Sequence, residues 1–109
     1  MRALVVSLLA LTSLSAAQAK PQTFLGTITD DMCERGDHSR MQMGPTDAEC
    51  TRACVAAHGA AFVLFDGTNV YKLSDQKTPD KFAGQKVRVT GTVDAKTRTI
   101  HVESISAAK

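Results

Sequence analysis

The chain has 109 residues, 43% of them hydrophobic and 22% charged, with 13 Lys and Arg against 11 Asp and Glu, which suits one small folded domain and is too short for two. Seven Gly, three Pro and a mean hydropathy of −0.10 exclude a collagen-like, disordered or multi-span membrane chain. A net charge of +2 with no Trp and a single Tyr lacks both the basic footprint and the stacking platforms of a nucleic-acid binder.

Met1-Arg2 is a short positive start, Ala3 to Leu14 is apolar, and Ala17-Gln18-Ala19 has the small-x-small form that signal peptidase cleaves. Residues 1–19 therefore read as a signal peptide, with a single mature domain, 20–109, beginning at Lys20. The apolar run is shorter than the ~20 residues that cross a bilayer, and no Cys follows the cleavage site to carry a lipid. The expected location is periplasmic or secreted, with no membrane span after cleavage and a compartment that permits disulfides.

Phe24 to Thr29 alternates with Phe24 and Ile28 on one side and reads as a first strand, Gly26 allowing a bend or close backbone approach. Residues 30–59 form an insert of loop and helix. Thr46-Asp47-Ala48-Glu49 is a capping box and His58-Gly59 a stop, so a helix runs from about Asp47 to His58, with Cys50, Ala53, Cys54 and Ala57 as its apolar stripe. Upstream, Cys33 to Met43 has no periodicity and reads as loop. Positions 30–49 hold six acids against Arg35 and Arg40, while 72–109 holds eight bases against four acids. That asymmetry predicts weak mutual attraction or two faces of opposite sign.

Ala61 to Phe65 and Val70 to Leu73 are apolar runs joined by Asp66-Gly67-Thr68-Asn69, an antiparallel hairpin signal. Thr78-Pro79 to Gly84 predicts one helical turn with Thr78 as N-cap and Phe82 as its core anchor. Val87, Val89, Gly91 and Val93 alternate with polar residues as a half-buried strand. After a turn at Asp94 to Thr97, Ile100 and Val102 continue the pattern on a last strand. Ile105 is out of phase with them, which predicts a bulge near Glu103-Ser104 unless Ile105 serves the other face. Five strands with a helical turn between the third and fourth follow the order of a small five-stranded Greek-key barrel, the OB-fold. The expected fold is mostly β: an OB-like barrel with a Cys-containing helical insert between its first two strands.

Several segments then fit one family. Phe-x-Gly-x-Ile-x-Asp-x-x-Cys at 24–33, Cys50-Thr51-Arg52-Ala53-Cys54-Val55, Gly59 to Leu64, and Phe82 to Gly91 together resemble the small exported bacterial proteins of the domain of unknown function 5818 family. The resemblance covers nearly all of 23–106. The last strand pair is also similar to periplasmic bacterial OB-fold proteins. Neither likeness implies an activity.

Chemistry therefore rests on three cysteines, an odd number for an exported chain. Cys50 and Cys54, at i and i+4, have Cβ atoms ~5–6 Å apart, too wide for an unstrained bridge. A disulfide from Cys33 to Cys50 or Cys54 is favoured, and the thiol left over opens a route to a dimer. The competing reading is a soft-metal site, zinc or copper, in which Cys33, Cys50, Cys54 and His58 share an ion. His38 is the substitute fourth ligand, and Met41 and Met43 nearby favour Cu(I). No haem motif is present. Cys54 with His58 is the minimum for a thiol nucleophile, but a His interacting with the last helix carbonyls accounts for His58 more simply. His101 reads as a solvent-facing strand residue, and a thiol-redox enzyme is the third reading. The expectation is a non-enzymatic, cofactor-free module that binds an unknown ligand or envelope protein and no nucleic acid, with metal binding as the alternative.

Overall fold

The computed structural model describes residues 20–108; the expected signal peptide, 1–19, lies outside the described residues. The chain order is β1 (Gln22–Asp30), α1 (Asp47–His58), β2 (Phe62–Phe65), β3 (Val70–Leu73), a 3₁₀ helix (Thr78–Phe82), β4 (Lys86–Asp94) and β5 (Thr99–Ala107). Among the described residues no helix is long and apolar enough to cross a membrane.

The five strands form one sheet that closes in a ring in the order β1-β2-β3-β5-β4. Closure depends on β1 serving two partners. Its first part, Gln22 to Thr27, runs antiparallel to Gly91–Lys86 of β4, and its second, Thr27 to Asp30, antiparallel to Phe65–Phe62 of β2. At the change of partner stands Gly26, where a Cβ would lie 2.5 Å from the carbonyl oxygen of Phe65. The hairpin of β2 and β3 is antiparallel, while β3 meets β5 in parallel through Lys72 with Thr99 and Leu73 with Ile100. Asp66 makes the hairpin turn, its Oδ1 accepting the N–H groups of Thr68 and Asn69 at 2.8 and 2.6 Å.

Every strand sends side chains into the interior: Ile28, Phe62, Leu64, Leu73, Val87, Val89 and Ile100 are buried together with Ala83. The bulge falls where the phase break predicts it. Thr90 pairs with Ser104 and Gly91 with Val102, leaving Glu103 as the extra residue, so Ile105 returns to the core face and packs there with Val102. Opposite the bulge, a Cβ on Gly91 would collide with the backbone oxygen of His101 and lie 2.9 Å from Ile100 Cγ2. Neither atom is a flexible side-chain end, so Gly91→Ala should cost ~2–3 kcal/mol, in the range of overpacked cores. A urea unfolding midpoint unchanged in this variant would contradict the tight β4–β5 approach.

The helix occupies its expected span. Thr46 Oγ1 accepts the Glu49 N–H and donates to its carboxylate, both at 3.2 Å, and Gly59 ends the helix in the left-handed region at φ 66°. Its buried side differs from the expected stripe: Cys50, Thr51 and Cys54 are buried, Ala53 is half-buried and Ala57 is exposed. Ala48 and Val55 pack against the core of the ring, and that contact sets the rotation of the helix about its axis. Thr51 is brought inward by it, with its hydroxyl unpartnered. Thr51→Val removes that unpaired group at nearly constant shape and should raise stability by ~1 kcal/mol, visible as a higher melting temperature.

The 3₁₀ helix begins differently from expectation. Thr78 is not its N-cap; Asp75 Oδ1 accepts the N–H groups of Lys77 and Thr78, at 2.9 and 3.0 Å. Pro79 is the fully buried residue of the turn and Phe82 is half-buried. Hydrogen bonds from the Thr78 side chain and from the Thr78 and Lys77 N–H groups hold the Asp75 carboxyl below its ordinary range. A depressed carboxylate contributes stability that is complete above the unfolded pKa near 3.8 and is lost as pH falls through the lower folded value. Asp75→Asn should therefore flatten the acid limb of a stability–pH curve below about pH 4, while leaving its neutral and basic limbs in place.

The ion pair seen among the described residues joins Arg52 of α1 to Asp80 of the 3₁₀ helix, Nε to Oδ1 at 3.9 Å, with both side chains well exposed. Its polarity is the reverse of the expected one, since here the insert supplies the base. Exposed pairs of this kind contribute little.

Candidate metal centre in the loop and helix insert

The end of β1 delivers the first group. Asp30 is fully buried, because its strand position faces inward and its backbone pairs with Phe62. One carboxylate oxygen, Oδ1, accepts the N–H groups of Met32 and Cys33, both at 3.1 Å. The other, Oδ2, is buried with no partner. The turn is closed from the opposite side by Thr29 Oγ1, which donates to the Cys33 carbonyl at 2.8 Å, so Cys33 is held back against the carboxyl group that precedes it.

The loop then returns. Cys33 O accepts the Gly36 N–H at 2.8 Å, and Asp37 Oδ1 accepts the Ser39 N–H at 3.0 Å. Hydrogen bonds from Ser39, led by the one from its side chain, keep the Asp37 carboxyl below its usual range. Between these anchored positions His38 turns inward, 7% exposed, with Nδ1 unpartnered. One ligand atom each from Asp30, Cys33 and His38 falls within 4.8 Å of the others. Ligand atoms around a tetrahedral zinc sit about 3.3–3.8 Å apart, so side-chain rotations of the order of 1 Å would bring these three onto one ion.

The helix supplies the other two thiols. Cys50 Sγ donates to the Met41 carbonyl at 2.9 Å and accepts the Met43 N–H at 3.4 Å. It is buried in one cluster with Cys54 and Ala60. All three cysteines are buried free thiols. Among the described residues the bridge expected from Cys33 to a helix cysteine is not present. Burial, reinforced by the nearby Asp30 carboxyl and the Cys50 thiol, pushes the Cys33 thiol up, and the same causes take Cys54 to about 11.

His58 is exposed at the end of α1 and does not belong to the Asp30, Cys33 and His38 group; of the two histidines considered, His38 is the one brought in. His101 is solvent-exposed on β5, as expected. Asp30 is the residue that sequence reasoning missed. The available signal was a lone acid at the inward-facing end of an apolar strand, three residues before a Cys.

A family model described as "Protein of unknown function (DUF5818)" matches residues 55–108. No curated protein and no solved structure matches the chain. The matched segment begins one residue after Cys54 and carries β2 to β5, so Asp30, Cys33, His38, Cys50 and Cys54 all lie ahead of it. Through residues 55–108 the chain belongs to the DUF5818 family.

Proposed function

We propose that this protein is an exported binding module, an OB-like barrel whose loop and helix insert holds a soft or borderline transition-metal ion, zinc or copper. The ring order β1-β2-β3-β5-β4, with its parallel β3–β5 contact and a helical turn between β3 and β4, supports the OB-like reading. Export to the periplasm or outside the cell rests on the pattern of residues 1–19.

One observation carries the metal reading: Asp30, Cys33 and His38 each bring a ligand atom within 4.8 Å of the others, and Asp30 Oδ2 and His38 Nδ1 are buried polar atoms without partners. Leaving a buried acceptor unpaired costs ~1–3 kcal/mol, and a shared cation would satisfy both atoms at once. The donor set of carboxylate, imidazole and thiolate suits zinc, cobalt or copper, and is too soft for calcium or magnesium. Cys50, close enough to the Cys33 thiol to raise it, is the fourth ligand of this reading, and the role assigned to the protein is to bind and carry the ion.

The test is a titration of the reduced, chelator-treated protein with Co(II), whose thiolate charge-transfer and d–d absorption report tetrahedral binding. Binding of one ion is expected, with loss of the bands in Cys33→Ser and in His38→Ala, and a rise in melting temperature when Zn(II) is added. Failure of the reduced protein to develop these bands, or wild-type bands in both variants, overturns the reading in favour of a disulfide-stapled module with an unknown ligand.

A further inference from the structure

The loop that builds the site carries an unusual surface. Among the described residues the exposed large apolar side chains are Leu25, Met32, Met41 and Met43, the methionines at 42%, 36% and 37% exposure. Methionine commonly serves as a flexible filler of gaps in a core, but these three fill none. Each is also tied to a candidate ligand through its backbone. The Met32 N–H donates to Asp30 Oδ1, the Met41 carbonyl accepts the Cys50 thiol, and the Met43 N–H donates to Cys50 Sγ. A polar surface cavity of about 330 Å³ has His38 and Gln42 in its wall. His38 therefore has an approach from solvent, and the backbone hydrogen bonds hold Met32 next to Asp30 and Met41 and Met43 next to Cys50.

Thioethers are soft, neutral ligands. They bind Cu(I) in preference to Zn(II), carry no proton to displace, and do not pair into disulfides in an oxidising compartment. We infer that the ion is Cu(I), taken up first by the exposed thioethers of Met32, Met41 and Met43 and passed from them to the sulfurs of Cys33 and Cys50 beneath. In the transfer a copper–thioether bond breaks and a copper–thiolate bond forms. The thiol proton goes to solvent, and copper stays in the +1 state throughout, so no oxidant or reductant is consumed.

This inference rests on the metal reading of the same site, and the experiment separates the two. The whole reduced protein is mixed in a stopped-flow instrument with the coloured Cu(I) complex of bicinchoninate, kept reduced by ascorbate without oxygen, and loss of colour is followed. In parallel the same samples are titrated with Co(II). The variant is Met32→Leu, Met41→Leu and Met43→Leu together, a volume-conserving change. Expected are Cu(I) uptake slowed by about tenfold or more, a barrier of ~1.4 kcal/mol or above, and unchanged Co(II) affinity, which also shows that the variant is folded. Wild-type Cu(I) uptake in the triple variant overturns the inference and leaves the metal site standing. So does a wild-type protein that binds Co(II) but cannot take copper from bicinchoninate. A protein that binds neither ion overturns both.

Discussion

Val89→Asp is expected to abolish folding, whereas Arg88→Asp, one residue earlier on β4, should melt close to wild type. Val89 is fully buried, pairs with Phe24 of β1 on one side and Ile105 of β5 on the other, and belongs to the cluster to which every strand contributes. A carboxylate placed there meets only apolar side chains. It must either ionise without a partner or hold its proton, at a cost of several kcal/mol. A domain of this size has a total stability of only ~5–10 kcal/mol, so the penalty consumes most of it. Arg88 points the other way and is exposed, and the exchange there alters surface charge alone. Circular dichroism melts of the two variants read the difference directly. A Val89→Asp protein melting within a few degrees of wild type would contradict the closed, apolar interior.

Asp30 should separate stability from ligand binding. Asp30→Ala removes the acceptor of the Met32 and Cys33 N–H groups, and the buried Cys33 donor is left weakened, so a loss of ~1–3 kcal/mol is expected. Asp30→Asn keeps an oxygen at the Oδ1 position and with it the turn, but replaces the unpartnered Oδ2 by a neutral amide. The Asn variant is therefore expected to unfold near the wild-type urea midpoint while its Co(II) affinity falls by at least about tenfold, or ~1.4 kcal/mol. The Ala variant is expected to lose both. Wild-type Co(II) affinity in Asp30→Asn would remove the carboxylate from the ligand set and leave the thiols and His38 to hold the ion.

Part of this molecule is legible in its residues alone because the forces involved are local. The Thr46 to Glu49 capping box and Gly59 bound α1 to within a residue, since both ends are satisfied by neighbours along the chain. Asp66 to Asn69 closes its hairpin in the same way. On β4 and β5 the alternation of apolar residues points to a bulge near Glu103-Ser104, because the apolar phase changes there, and the register then leaves Glu103 as the extra residue. The elements, their order and the placing of Cys50 and Cys54 on a helix thus follow from the chain itself. What it leaves open are choices made between segments far apart. Which edge of β1 takes β4 and which takes β2, and that β3 meets β5 in parallel, follow from closing the ring around a shared apolar interior. Packing of Ala48 and Val55 on that interior rotates α1 so that Thr51 is buried and Ala57 faces solvent. The candidate site is of the same kind. Spacing along α1 points to His58 as readily as to His38, but a helix end at the surface exposes one, while a loop folded back over the end of β1 buries the other beside Asp30 and Cys33. Only tertiary structure brings the end of a strand, a loop and a helix face to one point, and burial then gives Asp30 and His38 unpaired atoms that residue types and spacing do not reveal.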